Sequence, residues 1–234
     1  MNIIFSKKRC PTAEVCNTVL FLLLCFPVHS EETKGDNKLS FLPNPSLSGD
    51  NSFEKVLSQR RSVRNFAHGS LSIQEISQLV WSAQGITDRG NAFRTAPSAG
   101  ATFPLEIYLM TWEGVFHYLP EKHALDTMQK GDFRFELAKA CFSQMFIKDA
   151  PLIIIFSAIF GRTTSRYGTR GEKYIYIEAG HAAQNIHLQA VAMNLGSVPI
   201  GAFSDDNVHG LLGLPENEQV LYIIPIGKKR DSGS

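Results

Sequence analysis

The run Pro151–Phe160, PLIIIFSAIF, carries no charge and a single hydroxyl. A stretch so short and so evenly apolar reads as a central strand buried on both faces. A strand of that kind obliges the rest of the chain to cover a sheet from two sides, so helices with apolar faces must flank it in the sequence.

They do. In LSIQEISQLVWSAQG, Ser72 stands as an N-cap with Glu75 three residues on, the spacing of a capping box. Leu71 and Ile76 are placed to staple it; Ile76, Leu79, Val80 and Ala83 form its buried stripe, and Gly85 ends it. Phe53, Val56 and Leu57 share a face of a shorter helix. LEIYLMTW and VFHYL flank Glu113-Gly114 as a hairpin, and DFRFELAKACF is helical. The longest helix is predicted over 172–196, lined by Ile175, Ala179, Ala182, Ala183, Ile186 and Ala190 and closed by Gly196. So many alanines imply close packing on more than one side. Ser204 caps another helix, and QVLYIIPIG is a last strand. The irregular alternation, with a hairpin in the middle, argues for an α+β domain with helices around a mixed or antiparallel sheet.

The two ends of the chain read differently. Residues 1–30 resemble an export signal: Lys7, Lys8 and Arg9, then an apolar run of 11 residues, Thr18–Val28, then Val28 and Ser30 ahead of Glu31. An exported protein, periplasmic or secreted, is the expectation, with an uncleaved membrane anchor or a misassigned start as alternatives. Residues 31–51, rich in Pro, Gly and Ser, read as a linker, and 52–234 as one domain. Without residues 1–30, Lys+Arg falls from 23 to 20 and Asp+Glu from 22 to 21, a net charge of −1. That leaves no global basic field for nucleic acid, and no stable membrane insertion is expected once the leader is removed. Three of the four cysteines lie in the leader, so Cys141 has no internal disulfide partner and no Cys-based metal site.

Four strings stand out. RTAPSAGATFP sets Pro97, Ser98, Ala99, Gly100 and Ala101 ahead of a strand; so little side chain lets the backbone approach something flat or crowded. SQRRSVRNF groups Arg60, Arg61 and Arg64 with Ser62. Guanidinium groups beside a hydroxyl suit a phosphate, although a solvated basic turn would look the same. The string holds no glycine, so it is not a P-loop, and no GxGxxG follows a strand. VPIGAF again presents bare backbone at Pro199, Ile200, Gly201 and Ala202, or is a tight turn. GKKR brings Lys228, Lys229 and Arg230 after a strand, or is a frayed terminus. Glu178, His181 and His187 share a helix without the i, i+4 spacing of a metal pair; no metal is expected, and His181 is read as structural.

In this order the four strings resemble the nitroreductase superfamily of FMN enzymes. The wording of APSAGATFPLEIYL and RYGTRGEKYIYIEAGHAAQN is similar to its SagB-type branch, which includes dehydrogenases that aromatise thiazolines and oxazolines in modified peptides. The resemblance covers Phe53–Lys229. It implies a nitroreductase-like fold, bound FMN, and a homodimer with two flavin sites at the subunit interface. Arg60 and Ser62 match phosphate-binding positions, with Arg61 beside them, and Arg64 matches a cationic position at the N1/O2 edge of the ring. Pro97–Ala101 would pass beside the isoalloxazine and ribityl chain; relatives place an Asn near Ala101. Pro199–Ala202 match the segment near N5, and Lys229 or Arg230 would complete the phosphate site.

The implied reaction moves a hydride through flavin N5 in two half-reactions, on a peptide heterocycle or another small molecule. A Lys-Tyr pair serves as base in azoline-oxidising members; Arg166-Tyr167 stands there in this chain. Arginine is a poor base because it keeps its proton. Tyr167 is then either the proton-transfer group, with Arg166 and Arg170 favouring its ionised form, or a pocket wall. Two further readings stay open: a flavin- or peptide-binding module without turnover, and an NAD(P)H-dependent nitro or quinone reductase.

Overall fold

The computed structural model describes residues 39–230. The expected export signal lies outside the described residues. In chain order the elements are β1 (Leu39–Phe41), α1 (Phe53–Gln59), α2 (Ile73–Gln84), β2 (Ile86–Asp88), β3 (Phe93–Arg94), β4 (Leu105–Met110), β5 (Gly114–Leu119), β6 (Ala124–Lys130), α3 (Arg134–Ala140), β7 (Leu152–Ile159), α4 (Gly161–Tyr167), α5 (Arg170–Ala192), β8 (Leu195–Ser197), α6 (Asp205–Leu212) and β9 (Glu218–Lys228). A seven-stranded sheet runs β1-β6-β5-β4-β7-β9-β8, and β2 pairs with β3 apart from it. Each neighbouring strand pair is antiparallel.

β7 carries the architecture. Leu152, Ile154, Phe156 and Ala158 enter one core with residues of α2 and α5; Ile153 and Ile155 enter the other with residues of α3 and α6. Every residue from Leu152 to Ala158 is buried, as the unbroken apolar run requires. The sheet is thus sandwiched between two helical layers. α2 begins with both hydrogen bonds of the Ser72/Glu75 capping box. Close approach of α4 and α5 is fixed by Gly171, where a Cβ would stand 3.0 Å from Thr164 Cα. Cys141 is fully buried, which pushes its thiol up to about 12 and keeps it protonated.

Four local expectations need correction. Part of the expected linker belongs to the sheet: Leu39–Phe41 pairs with β6, Leu42 is buried, and Ser77 Oγ donates to Pro43 O. Backbone pairing to an open edge strand asks little of composition, so polar flanks hid it. The long helix ends at Ala192, and the left-handed residue that stops it is Asn194 (φ 59°). Gly196 lies in β8 instead, where a Cβ would meet Val63 at 2.7 Å. Ser204 does precede α6, but its side chain makes no capping bond. In the hairpin, Gly114 is demanded by contact rather than by turn geometry, since a Cβ there would strike Gln129 O.

Candidate active site

The small-residue string forms a strained loop between β3 and β4. Thr95 anchors its entrance, donating from N to Gly85 O (2.9 Å) and from Oγ1 to Trp81 O (3.0 Å). Asn185 of α5 donates to Thr95 O at 3.1 Å. Ala99–Ala101 make one 3-10 turn, with Gly100 at φ 59°, Ala101 at φ 54° and Phe103 at φ 43°. Residues other than glycine seldom adopt this region. Phe103 N–H closes the loop on Ser98 Oγ at 2.9 Å. Thr102 Oγ1 lies 3.0 Å from Ala99 O and 2.8 Å from Thr163 Oγ1.

The end of α4 sits on this loop. Arg166 Nη1 donates to Gly100 O at 3.1 Å. A Cβ on Gly100 would lie 2.5 Å from Tyr167 Oη and 2.7 Å from Arg166 Nη1. Gly100 is therefore glycine for two reasons, its left-handed backbone and the tyrosine and guanidinium pressed against it. The Arg166 guanidinium rests over the Tyr167 ring at 5.4 Å, and Tyr174 packs edge-on at 5.2 Å. At the start of α4, Arg162 ties the helix to the sheet through Glu106 (2.6 Å) and to the loop through Phe103 O (3.0 Å). His117 Nε2 holds the other oxygen of Glu106 at 2.7 Å.

The basic strings meet elsewhere. After α1 the chain runs beside β8 and the end of β9: Ser62 bridges Ser197, Val63 N donates to Ser197 O at 3.0 Å, and Phe66 bridges Lys229. Ala67 N donates to Lys228 O (2.8 Å) and Arg230 N to Asn65 O (3.3 Å). Arg60, Ser62, Arg64, Lys229 and Arg230 thereby gather from distant parts of the sequence. Among the described residues no carboxylate pairs with any of these basic side chains. Arg61 is turned away: its Nη1 donates to Ser58 O (3.0 Å) and Arg60 O (2.7 Å), closing the C-terminus of α1. Pro199–Ala202 joins the same side. Ile200 pairs with Ile223, and Gln144 Nε2 donates to Ala202 O at 3.1 Å. Arg64 lies over the Phe146 ring at 5.9 Å.

Two buried polar residues of α5 mark the two groups, and neither was assigned a role from the sequence. His187 Nδ1 is 2.7 Å from Ser197 Oγ on the basic side. Burial, then the charge of Arg60, holds its imidazole down at about 4, so it is neutral. Glu178 lies under the loop. Burial pushes its carboxyl up to about 7, against the opposing pull of the nearby Ser98 hydroxyl, the charge of Arg94 and the nearby Gln84 carboxamide. Nine residues at about 100° each put Glu178 and His187 on opposite flanks of the buried face of α5. A polar residue at a buried helical position is the signal by which both were open to recognition.

The site thus sets bare left-handed backbone, capped by tyrosine and arginine, and an unneutralised basic cluster on opposite flanks of the same helix. The nitroreductase family model matches residues 57–228. The chain belongs to the nitroreductase family. It is 42% identical to MJ1384 of Methanocaldococcus jannaschii, a protein named for the nitroreductases, over 182 residues, covering 75% of this chain and 90% of that protein. It is 26% identical over 176 residues to the microcin B17-processing protein McbC of Escherichia coli, covering 66% of this chain and 61% of McbC. Among solved structures, a nitroreductase-family protein from Ralstonia eutropha JMP134 superimposes with a TM-score of 0.76 at 26% identity, over 82% of this chain and 90% of that one. Nitroreductase membership makes the chain an oxidoreductase by family and agrees with the α+β architecture.

Proposed function

We propose that this protein is an FMN-dependent oxidoreductase of the SagB type, acting as a homodimer on a peptide heterocycle or a related small molecule. The observation that carries the reading is the seating of Arg166 and Tyr167 on Gly100 of the strained loop. Bound FMN supplies hydride exchange at N5. Arg60, Ser62, Lys229 and Arg230 would hold the phosphate, and Arg64 would place positive charge at the ring edge, favouring the anionic reduced form. Pro97–Ala101 offers backbone to the flat ring, Pro199–Ala202 offers it on the other side, and Tyr167 is the group positioned to move a proton. Arg166, which keeps its proton, orients Tyr167 and Gly100 rather than acting as base. Arg61 is committed to α1 and is left out of the phosphate site.

The homodimer draws support from the placement of the two groups. They flank α5 on opposite sides, so one flavin in reach of both takes the loop from one protomer and the basic cluster from its partner. Similarity to McbC supports a peptide substrate. Export remains part of the proposal on the strength of residues 1–30; the mature N-terminus, expected at Glu31, is readable by mass spectrometry. The deciding experiment is the visible spectrum of protein loaded with FMN and desalted, for wild type, Arg60→Ala and Tyr167→Phe. Wild type is expected to stay yellow, Arg60→Ala to lose the flavin while folded, and Tyr167→Phe to keep the flavin but lose turnover. A colourless wild type overturns the cofactor, and full activity in Tyr167→Phe moves the proton-transfer role elsewhere.

A further inference from the structure

A cavity of about 810 Å³ opens between the segment leading into α1 and the helices α1, α2 and α5, and the proposed function gives it no task. Among the described residues that line it there is no lysine, arginine or histidine. Of its two carboxylates, Glu75 is committed to the capping box of α2, where its Oε2 accepts from Ser72 N at 2.6 Å, and Asp50 is exposed. A wall without a cation has nothing to pair with a phosphate, so neither a flavin nucleotide nor a nicotinamide dinucleotide suits it. What it offers instead is neutral. Gln78, Asn185 and Gln189 present side-chain amides, and Trp81 and Leu188 present half-buried apolar surface. Of the apolar face that Phe53, Val56 and Leu57 share on α1, only Val56 is buried; Phe53 stands 62% exposed on the cavity wall.

One stretch of non-helical backbone is already seated here, and its bonding shows what the wall recognises. Ser46 lies between β1 and α1 and belongs to no strand. Gln78 Oε1 accepts Ser46 N–H at 2.7 Å, and Gln78 Nε2 donates to Ser46 O at 3.1 Å. The carboxamide does for one residue of backbone what a neighbouring antiparallel strand would do. Gln78 Nε2 also donates to Gln189 Oε1 at 3.2 Å. Among the described residues, the NH2 group of Gln189 bonds to nothing. The cavity also touches Thr95, the entrance of the candidate loop, whose O accepts from Asn185 at 3.1 Å. We propose that this cavity docks an uncharged, extended stretch of the peptide substrate flanking the reactive heterocycle. Side-chain amides take its backbone, and Phe53, Leu188 and Trp81 take its alternate apolar side chains. The proposal rests on the peptide reading of the candidate active site. An oligosaccharide would use the same amides but leave exposed Phe53 and Leu47 without apolar partners.

The test is a fluorescence titration of the full chain with a blocked hexapeptide of alternating serine and leucine. The chain has two tryptophans, so Trp112→Phe leaves Trp81 as the single emitter. A saturable change in Trp81 emission is expected. Its Kd should weaken about tenfold in Gln189→Ala and in Phe53→Ser, while both variants keep wild-type FMN binding. No response to the hexapeptide overturns the proposal, and so does an unchanged Kd in both variants. A response to cellohexaose in place of the peptide overturns it in favour of a glycan. Trp81 shielded from acrylamide in the peptide-free dimer overturns it in favour of a second copy of the chain. If the hexapeptide binds and FMN does not, the flavin reading fails alone; if FMN binds and the hexapeptide does not, the docking site fails alone.

Discussion

At the scale of the residue, two buried groups on α5 pull the pH dependence of stability in opposite directions. Glu178 holds its proton up to about 7, against an ordinary value of 4.5. The folded state therefore binds that proton better than the unfolded chain, and stability falls as pH rises from 4.5 to 7. His187 titrates at about 4 rather than 6.5, so stability falls as pH drops from 6.5 towards 4. Each effect is worth up to about 3 kcal/mol. Glu178→Gln should raise stability above neutral pH by that order and expose the acid lability set by His187; urea denaturation at pH 5 and pH 8 checks it. Ala101 makes a separate prediction. Its φ of 54° suits asparagine and opposes β-branched side chains. Ala101→Val should destabilise by about 2 kcal/mol and Ala101→Asn by little, both measurable as shifts in the urea midpoint.

Among the elements, those written in local pattern were the legible ones. The capping box of α2, the all-apolar β7 and the alanine stripe of α5 each satisfy their backbone and bury their face by a rule that acts within a few residues. Ser72→Ala removes a side-chain acceptor from the Glu75 amide and should cost about 1 kcal/mol, read from thermal melts. β1 and β6 lie beyond such rules. Ala124–Lys130 alternates weakly because Asp126, Thr127 and Gln129 dilute it, and β1 is three residues long. Their existence follows from the edge that β5 offers, which is a property of the assembled sheet. α4 is similar: seven residues with no capping side chain, held in place by Arg162 on Glu106. Glu106→Gln should loosen α4 and lower turnover with little loss of flavin, since Arg162 would lose its charged partner but the basic cluster would stay intact.

For the whole molecule, the proposed homodimer, with its two groups on opposite flanks of α5, predicts complementation. A chain carrying Gly100→Val should spoil the loop, where the new side chain meets Tyr167 and Arg166. A chain carrying Arg60→Ala should spoil the basic cluster. Neither homodimer should hold flavin. After mixed refolding, half of the dimers are mixed and each has one sound site, so bound flavin should return to about a quarter of wild type. No recovery would mean that each site is built within one protomer.

The sequence by itself determined the sandwiched sheet, because an uncharged strand like Leu152–Ile159 has one stable environment, and it determined the four strings that line the candidate site. It also carried the family, since those strings keep their order. Only the tertiary structure decided what the strings do to one another. Arg166 and Tyr167 press on Gly100 across more than sixty positions of sequence, and Arg61 folds back on α1 while Asn185 of α5 reaches Thr95 at the entrance of the loop. The reason is physical. Helix caps, apolar periodicity and strained turns act between near neighbours, whereas a hydrogen bond or an ion pair between distant residues exists only after packing has fixed both partners.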